Sequence, residues 1–199
     1  MPLITFTDKQ TMNTNANVPA INKITSGNVN EIKNVVNTNW NIRQVATVGL
    51  SADVSMSTSS QYTTLTLNSV IDATSNSNMT LESFTTTTTG AGAGIKIPAG
   101  ITKVKVDANI QYTNSSSGAM SFINYVYKYK ASDGTVNIIA RTIGRAEASQ
   151  NVSCVVAPFV LSVAEGDIIF LRAYKGTAGN AATVGSGISR TFLTVEGIE

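Results

Sequence analysis

From Tyr62 onward, turn signals interrupt this chain every 8–12 residues and no helical pattern intervenes. That spacing constrains the fold more than any other feature. A parallel sheet needs a crossover of a dozen or more residues between strands, usually helical, and no room for one exists. The expectation is therefore mainly β, an antiparallel two-sheet sandwich or jelly roll over 62–199. The clearest alternation runs from Ile101 to Tyr112. Val104, Val106, Ala108, Ile110 and Tyr112 point inward, with Lys103, Lys105, Asp107, Asn109 and Gln111 outward.

Other strands are expected at Tyr62–Leu67, Thr80–Phe84, Ile95–Ile97, Ala119–Lys130, Val136–Arg145, Val152–Val163, Ile168–Tyr174 and Ile188–Val195. Ser132-Asp133-Gly134 is a hairpin turn, since Asp-Gly accepts positive φ. Ala164-Glu165-Gly166-Asp167 is a second turn, and Pro98-Ala99-Gly100 a third. Gly90-Ala91-Gly92-Ala93-Gly94 reads as a flexible loop. The runs Val152–Val163 and Ile168–Leu171 are apolar on both faces, so one sheet's outer face is expected to be covered, as side-by-side copies would do.

The first forty-odd residues follow a different grammar. Residues 1–24 scatter Leu3, Ile4, Phe6, Val18 and Ile21 among Asn and Thr; they form either a loose tail or an anchor ordered on a partner. Residues 25–43 carry the one clear helical pattern, opened by Thr25 or Asn28 as caps. Val29, Ile32, Val36 and Asn39 follow 3-4-3 spacing, and β-branched seam residues lean toward assemblies larger than dimers. A helix of about four turns is marginal alone. It packs either on its own β domain or in a multi-chain bundle. Residues 44–61 read as a linker, with a short strand at Val45–Leu50.

Composition narrows function by subtraction. Only 13% of residues are charged, against roughly 25% in a typical domain. Net charge is +2 with no Lys/Arg cluster, which argues against nucleic acid. No run approaches the ~20 apolar residues of a membrane span, and the start does not read as a signal peptide. The chain has no histidine, so His-based triads and metal sites are excluded. The expectation is no enzyme, no cofactor and no metal. Glu165 and Asp167 flank Gly166 and form either a plain polar turn or a calcium site with backbone carbonyls. The single Cys154 lies in an apolar run and reads as a buried hydrophobe. Tyr125, Tyr127 and Tyr129 share one strand face, which is either a core or interface stripe or a platform for sugar rings. With Lys175 and Asn180, from the small-residue loop 175–187, they are the candidate ligand contacts.

Two segments carry a family resemblance. Ile4-Thr5-Phe6-Thr7-Asp8-Lys9, Val18-Pro19-Ala20-Ile21-Asn22-Lys23-Ile24-Thr25 and Asn30-Glu31-Ile32-Lys33-Asn34-Val35-Val36-Asn37 resemble the N-terminal signature of structural fibre proteins of tailed bacteriophages. Gly94-Ile95-Lys96-Ile97-Pro98-Ala99-Gly100, Val163-Ala164-Glu165-Gly166-Asp167-Ile168-Ile169-Phe170-Leu171 and Thr191-Phe192-Leu193-Thr194-Val195-Glu196 resemble phage fibre heads with a C1q/TNF-like jelly roll. The resemblance implies a homotrimer made in a host cytoplasm and carried on the virion. Leu3, Ile4, Phe6, Val18 and Ile21 would anchor it to the major capsid protein or another virion protein. Val29, Ile32, Val36 and Asn39 would form the trimer seam, and the β head would meet host-surface glycans. No long shaft follows the helix, so a short capsid (head) fibre fits better than a main tail fibre. A tail or baseplate receptor-binding fibre is the alternative, and a glycan depolymerase the distant one.

Overall fold

The computed structural model describes residues 32, 44–56, 61–73, 78–177, 180–187 and 189–198. The chain divides into two units, Met1–Arg43 and Gln44–Glu199. In the first, Ile32 is described, as a helical residue with 64% exposure. The anchor candidates Leu3, Ile4, Phe6, Val18 and Ile21 and the seam candidates Val29, Val36 and Asn39 lie outside the described residues.

The second unit is an antiparallel β-sandwich. One sheet holds β1 (Val45–Gly49), β2 (Val54–Met56), β4 (Ser69–Ala73), β7 (Lys103–Asn114), β10 (Asn151–Ser162), β12 (Ala182–Val184) and β13 (Phe192–Gly197). Its order is β2-β12-β7-β13-β1-β4, and β10 pairs with β7. The other sheet runs β5 (Thr80–Thr86), β6 (Gly90–Lys96), β11 (Ile168–Lys175), β8 (Met120–Tyr129), β9 (Val136–Ala146), with β3 (Tyr62–Thr64) on β11. Every strand pairing described is antiparallel; the single parallel contact is a bridge between Thr66 and Ala93. Strands distant in sequence therefore pair without crossover helices, as the turn spacing requires.

The core lies between the sheets. All five inward residues of the 101–112 alternation, Val104 to Tyr112, are fully buried there. From the facing sheet come Ile95, Phe122, Val126, Ile169 and Leu171. Tyr112 crosses the layer: its ring stacks on Phe122 at 4.6 Å between centroids, and its hydroxyl donates to the Ile123 carbonyl at 2.6 Å. Burial pushes that hydroxyl's pKa well up. Cys154 is buried against the same region, and burial raises its thiol to about 11. It is the inert thiol expected.

The turns behave as their residues require. Gly134 and Gly166 sit at φ +70° and +83°, where a Cβ is costly. Asp133 accepts from the amide and hydroxyl of Thr135, which holds its carboxyl below the usual range. Asp167 is buried. Its carboxylate accepts from the amides of Ala131 and Ala164 and lies 3.7 Å from the Lys128 ammonium. Of the two readings of this turn, the structure supports the polar one. Among the described residues no group of three or more His, Cys, Asp or Glu side chains comes together.

Two expectations are corrected. Residues 44–61 are not simply a linker: β1 lies inside the first sheet, hydrogen-bonded to β13 and β4, and β2 pairs with β12. The short strand expected at Val45–Leu50 is β1, with Ala46 and Val48 in the core; small polar composition masked β2, three residues long. Likewise Gly90–Gly94 is not a flexible loop but the body of β6. Alternation sends Ala91, Ala93 and Ile95 one way and leaves Gly90, Gly92 and Gly94 bare on the outer side.

Candidate functional site

That bare glycine track lets aromatic rings lie across the outer face of the second sheet. Strand pairing sets Lys96, Ile168 and Tyr129 side by side across β6, β11 and β8. The next line has Glu82 opposite Gly94 and Phe170 opposite Tyr127. A Cβ on Gly94 would sit 2.2 Å from the Ile169 carbonyl oxygen and 2.8 Å from Phe170 Cβ; one on Gly92 would meet the Phe84 ring at 2.9 Å. At Gly92 a ring thus fills the space a side chain on β6 would occupy, the way aromatics cover exposed strand glycines elsewhere, and at Gly94 the body of β11 does.

The result is a second apolar cluster, separate from the core, of Phe84, Tyr125, Tyr127, Ile168 and Phe170. Phe170 is its centre and is fully buried. Phe84 tilts against it at 4.4 Å and Tyr127 stacks on it at 5.3 Å, both within the range of favourable ring pairs. Phe84 also stacks on Tyr129 at 6.1 Å and 15°. Toward the other end, Tyr125, Tyr174 and Tyr62 pack together, and the Arg172 guanidinium lies 4.5 Å over the Tyr62 ring. Burial, and then its tyrosine neighbours, push the Tyr62 hydroxyl's pKa up.

The candidate contacts separate accordingly. Tyr125 and Tyr127 are each 7% exposed, so they build the platform rather than offer themselves to solvent. Tyr129 is half-buried and keeps part of its ring open. Lys175 is not a loop residue. It ends β11 with the inward parity of Ile169, Leu171 and Ala173, is fully buried, and donates from Nζ to the Asn180 carbonyl at 2.5 Å. Burial lowers its pKa. Asn180 is half-buried beside it. The exposed loop expected over 175–187 is also interrupted by β12, where Ala182 and Val184 are buried.

Sequence reasoning missed the groove at the edge of this cluster. It encloses about 390 Å³ and is lined by Glu82, Phe84, Lys96, Tyr129, Gly166 and Ile168, among others. Glu82 and Lys96 face each other at 3.9 Å, with side chains 46% and 44% exposed. The alternating Gly-Ala-Gly-Ala-Gly was the available signal: period two marks a strand with one unclothed face.

The doubly apolar runs resolve differently from one another. In β11 both faces of Ile168–Leu171 are covered within the chain, Ile169 and Leu171 by the core and Ile168 and Phe170 by the aromatic cluster. In β10, Cys154 and Val156 are buried while Val155 and Val160 remain 55% and 60% exposed. They belong to the outer face of the first sheet. There Val155 pairs with Asn109, Asn109 with Phe192 and Phe192 with Gly49. Thr47 and Thr194 share a hydroxyl hydrogen bond at 2.9 Å. Asn109 is buried and donates to the Arg190 carbonyl; its Oδ1 has no partner among the described residues.

No family model matches the chain, and no curated protein matches it. Solved structures do. A structure titled Eiger TNF from S. frugiperda superposes with a TM-score of 0.55 at 14% identity, covering 79% of this chain and 93% of that one. Murine APRIL at pH 5.0 gives 0.54 at 13% identity, covering 78% and 98%, and at pH 8.5 it gives 0.52 at 15% identity with the same coverage. The head is thus similar in fold to these proteins, a TNF-like jelly-roll sandwich. At such identity the likeness concerns the fold.

Proposed function

We propose that this chain is a non-enzymatic virion structural protein. Three copies form a short capsid (head) fibre, gripped to the particle by residues 1–24 and presenting the jelly roll to host-surface glycans. The observation that carries the oligomer is the outer face of the first sheet. Exposed Val155 and Val160 and the Thr47–Thr194 hydroxyl pair occupy it, and the β7 charges Lys103, Asp107 and the Lys105–Glu196 pair at 3.8 Å lie toward one end. On the second sheet the rings cover Ile168 and Phe170, while Ile138 and Ile143 on β9 stay 55% and 62% exposed and Arg172 Nε is buried with no partner among the described residues. The virion setting is supported by the sequence resemblance of residues 4–37 to phage fibre proteins.

Light scattering on the full chain tests the assembly: three copies are expected, and a well-behaved single copy in dilute buffer overturns it. Removing residues 1–24 should leave the assembled head and abolish incorporation into particles. Co-purification of the truncated protein with capsids would refute the anchor. The same resemblance supports a tail or baseplate receptor-binding fibre as the second reading, and density around residue 1 in intact particles separates the two. A depolymerase would use two carboxylates about 5–10 Å apart; the groove on the second sheet is lined by one, Glu82.

A further inference from the structure

We infer that the groove beside Tyr129 is a binding site for a single pyranose ring, resting on the proposal that the head meets glycans. A sugar offers one face of C–H groups and a rim of hydroxyls, each both donor and acceptor. The groove presents the matching halves. Its apolar half is the open part of Tyr129, backed by the nearly parallel Phe84 and by Ile168, which are themselves buried. Phe84 is held by Phe170 at 4.4 Å, so the ring surface is fixed before any ligand arrives. The polar half is Glu82 and Lys96. At 3.9 Å they are loosely paired and half exposed, leaving carboxylate lone pairs and ammonium N–H groups for hydroxyls. An acceptor and a donor within 4 Å of each other suit two adjacent sugar hydroxyls. The volume, about 390 Å³, falls at the small end of the range for small-molecule sites of roughly 300–1,000 Å³.

The placement is fixed by backbone rather than loops. Glu82 and Phe84 alternate on one face of β5, Lys96 ends β6, Tyr129 ends β8, and Gly166 closes the far side at φ +83°. Glycine at 92 is what lets Phe84 lie down on the sheet. The opposing signs of Glu82 and Lys96 leave no net charge for an acidic or basic ligand, which favours a neutral hexose.

The test uses the full chain and saturation-transfer NMR with methyl α-D-glucopyranoside, methyl β-D-galactopyranoside, methyl α-D-mannopyranoside and N-acetylglucosamine. Saturable binding of at least one is expected. Tyr129→Ala should weaken it about tenfold or more, Tyr129→Phe should largely retain it, and Glu82→Gln and Lys96→Met should each weaken it. Glu82 and Lys96 are exposed enough to be changed without loss of fold, so the result stands even where Tyr129→Ala misfolds. No binding of any of the four, or binding kept within about twofold in both Glu82→Gln and Lys96→Met, overturns the site. Adsorption of particles carrying the variants separates this from the fibre reading. Lost sugar binding with normal adsorption supports the groove and removes its part in attachment; unchanged sugar binding in variants whose particles still need the head overturns the groove and leaves attachment standing.

Discussion

The two outward faces of this sandwich solve the same problem in opposite ways. The second sheet covers its middle: Phe84, Phe170, Tyr125 and Tyr127 pack over it, so both sides of Ile168–Leu171 are dry within one chain, while Ile138 and Ile143 on β9 stay exposed. The first sheet leaves Val155 and Val160 in water and an amide oxygen of Asn109 unanswered. Apolar runs that look alike in sequence can therefore mean different things. One marks a strand covered on both sides by its own chain, the other a strand that leaves its outer valines in water.

The strongest way to break the comparison is Phe170→Ala, which empties the centre of the self-covered face. It should cost about 3–5 kcal/mol in urea unfolding, as for other buried rings. A loss below about 1 kcal/mol would mean that the cluster is decoration. Gly94→Ala should cost about 3 kcal/mol, because the new methyl meets backbone oxygen, which cannot swing aside. Gly92→Ala should cost less, since its nearest neighbours are the side chains of Thr64 and Phe84. On the other face, Val155→Lys should change the fold's stability by about 0.5 kcal/mol or less while weakening assembly at least about tenfold by sedimentation. Unchanged assembly would put the contact elsewhere.

The smallest effect is alkaline. Cys154 keeps its proton in the folded chain to about 11, against 9.0 for the free thiol. The folded state then binds more protons than the unfolded one between these values. Its contribution to stability is whole below pH 9 and drains away as pH rises from 9 toward 11. Tyr112, raised for the same reason, adds in the same direction above pH 10. The urea midpoint should fall across that window, and Cys154→Ala should flatten its first part.

Much of the architecture was legible in the chain. The alternation at 101–112 needed only a two-residue period and core-sized side chains, and the Asp-Gly and Glu-Gly-Asp turns carry their own backbone logic. What escaped depended on partners distant in sequence. Asn109 has outward parity, yet it is buried by the segment at Arg190. Lys175 looks like the start of a polar loop until the register of β11 on β8 fixes its parity inward. Asn114 reads as a loop residue, but its fully buried amide donates to the carbonyls of Gly118, Ala146 and Glu147 and ties two loops together. The groove was hidden because its four principal residues come from β5, β6 and β8, and because a glycine-rich strand resembles a linker. The shared face of the three tyrosines was legible; which of them stay open was not, since that depends on Phe84 and Phe170.

The solitary thiol gives the molecule a built-in stopwatch. Buried beneath β9, where a Cβ on Gly144 would come within 2.9 Å of its sulfur, and reluctant to ionise, Cys154 should resist alkylating reagents in the native chain. Each labelling event therefore counts one opening of the sandwich, so iodoacetamide and a mass spectrometer can time its breathing with no dye or tag attached.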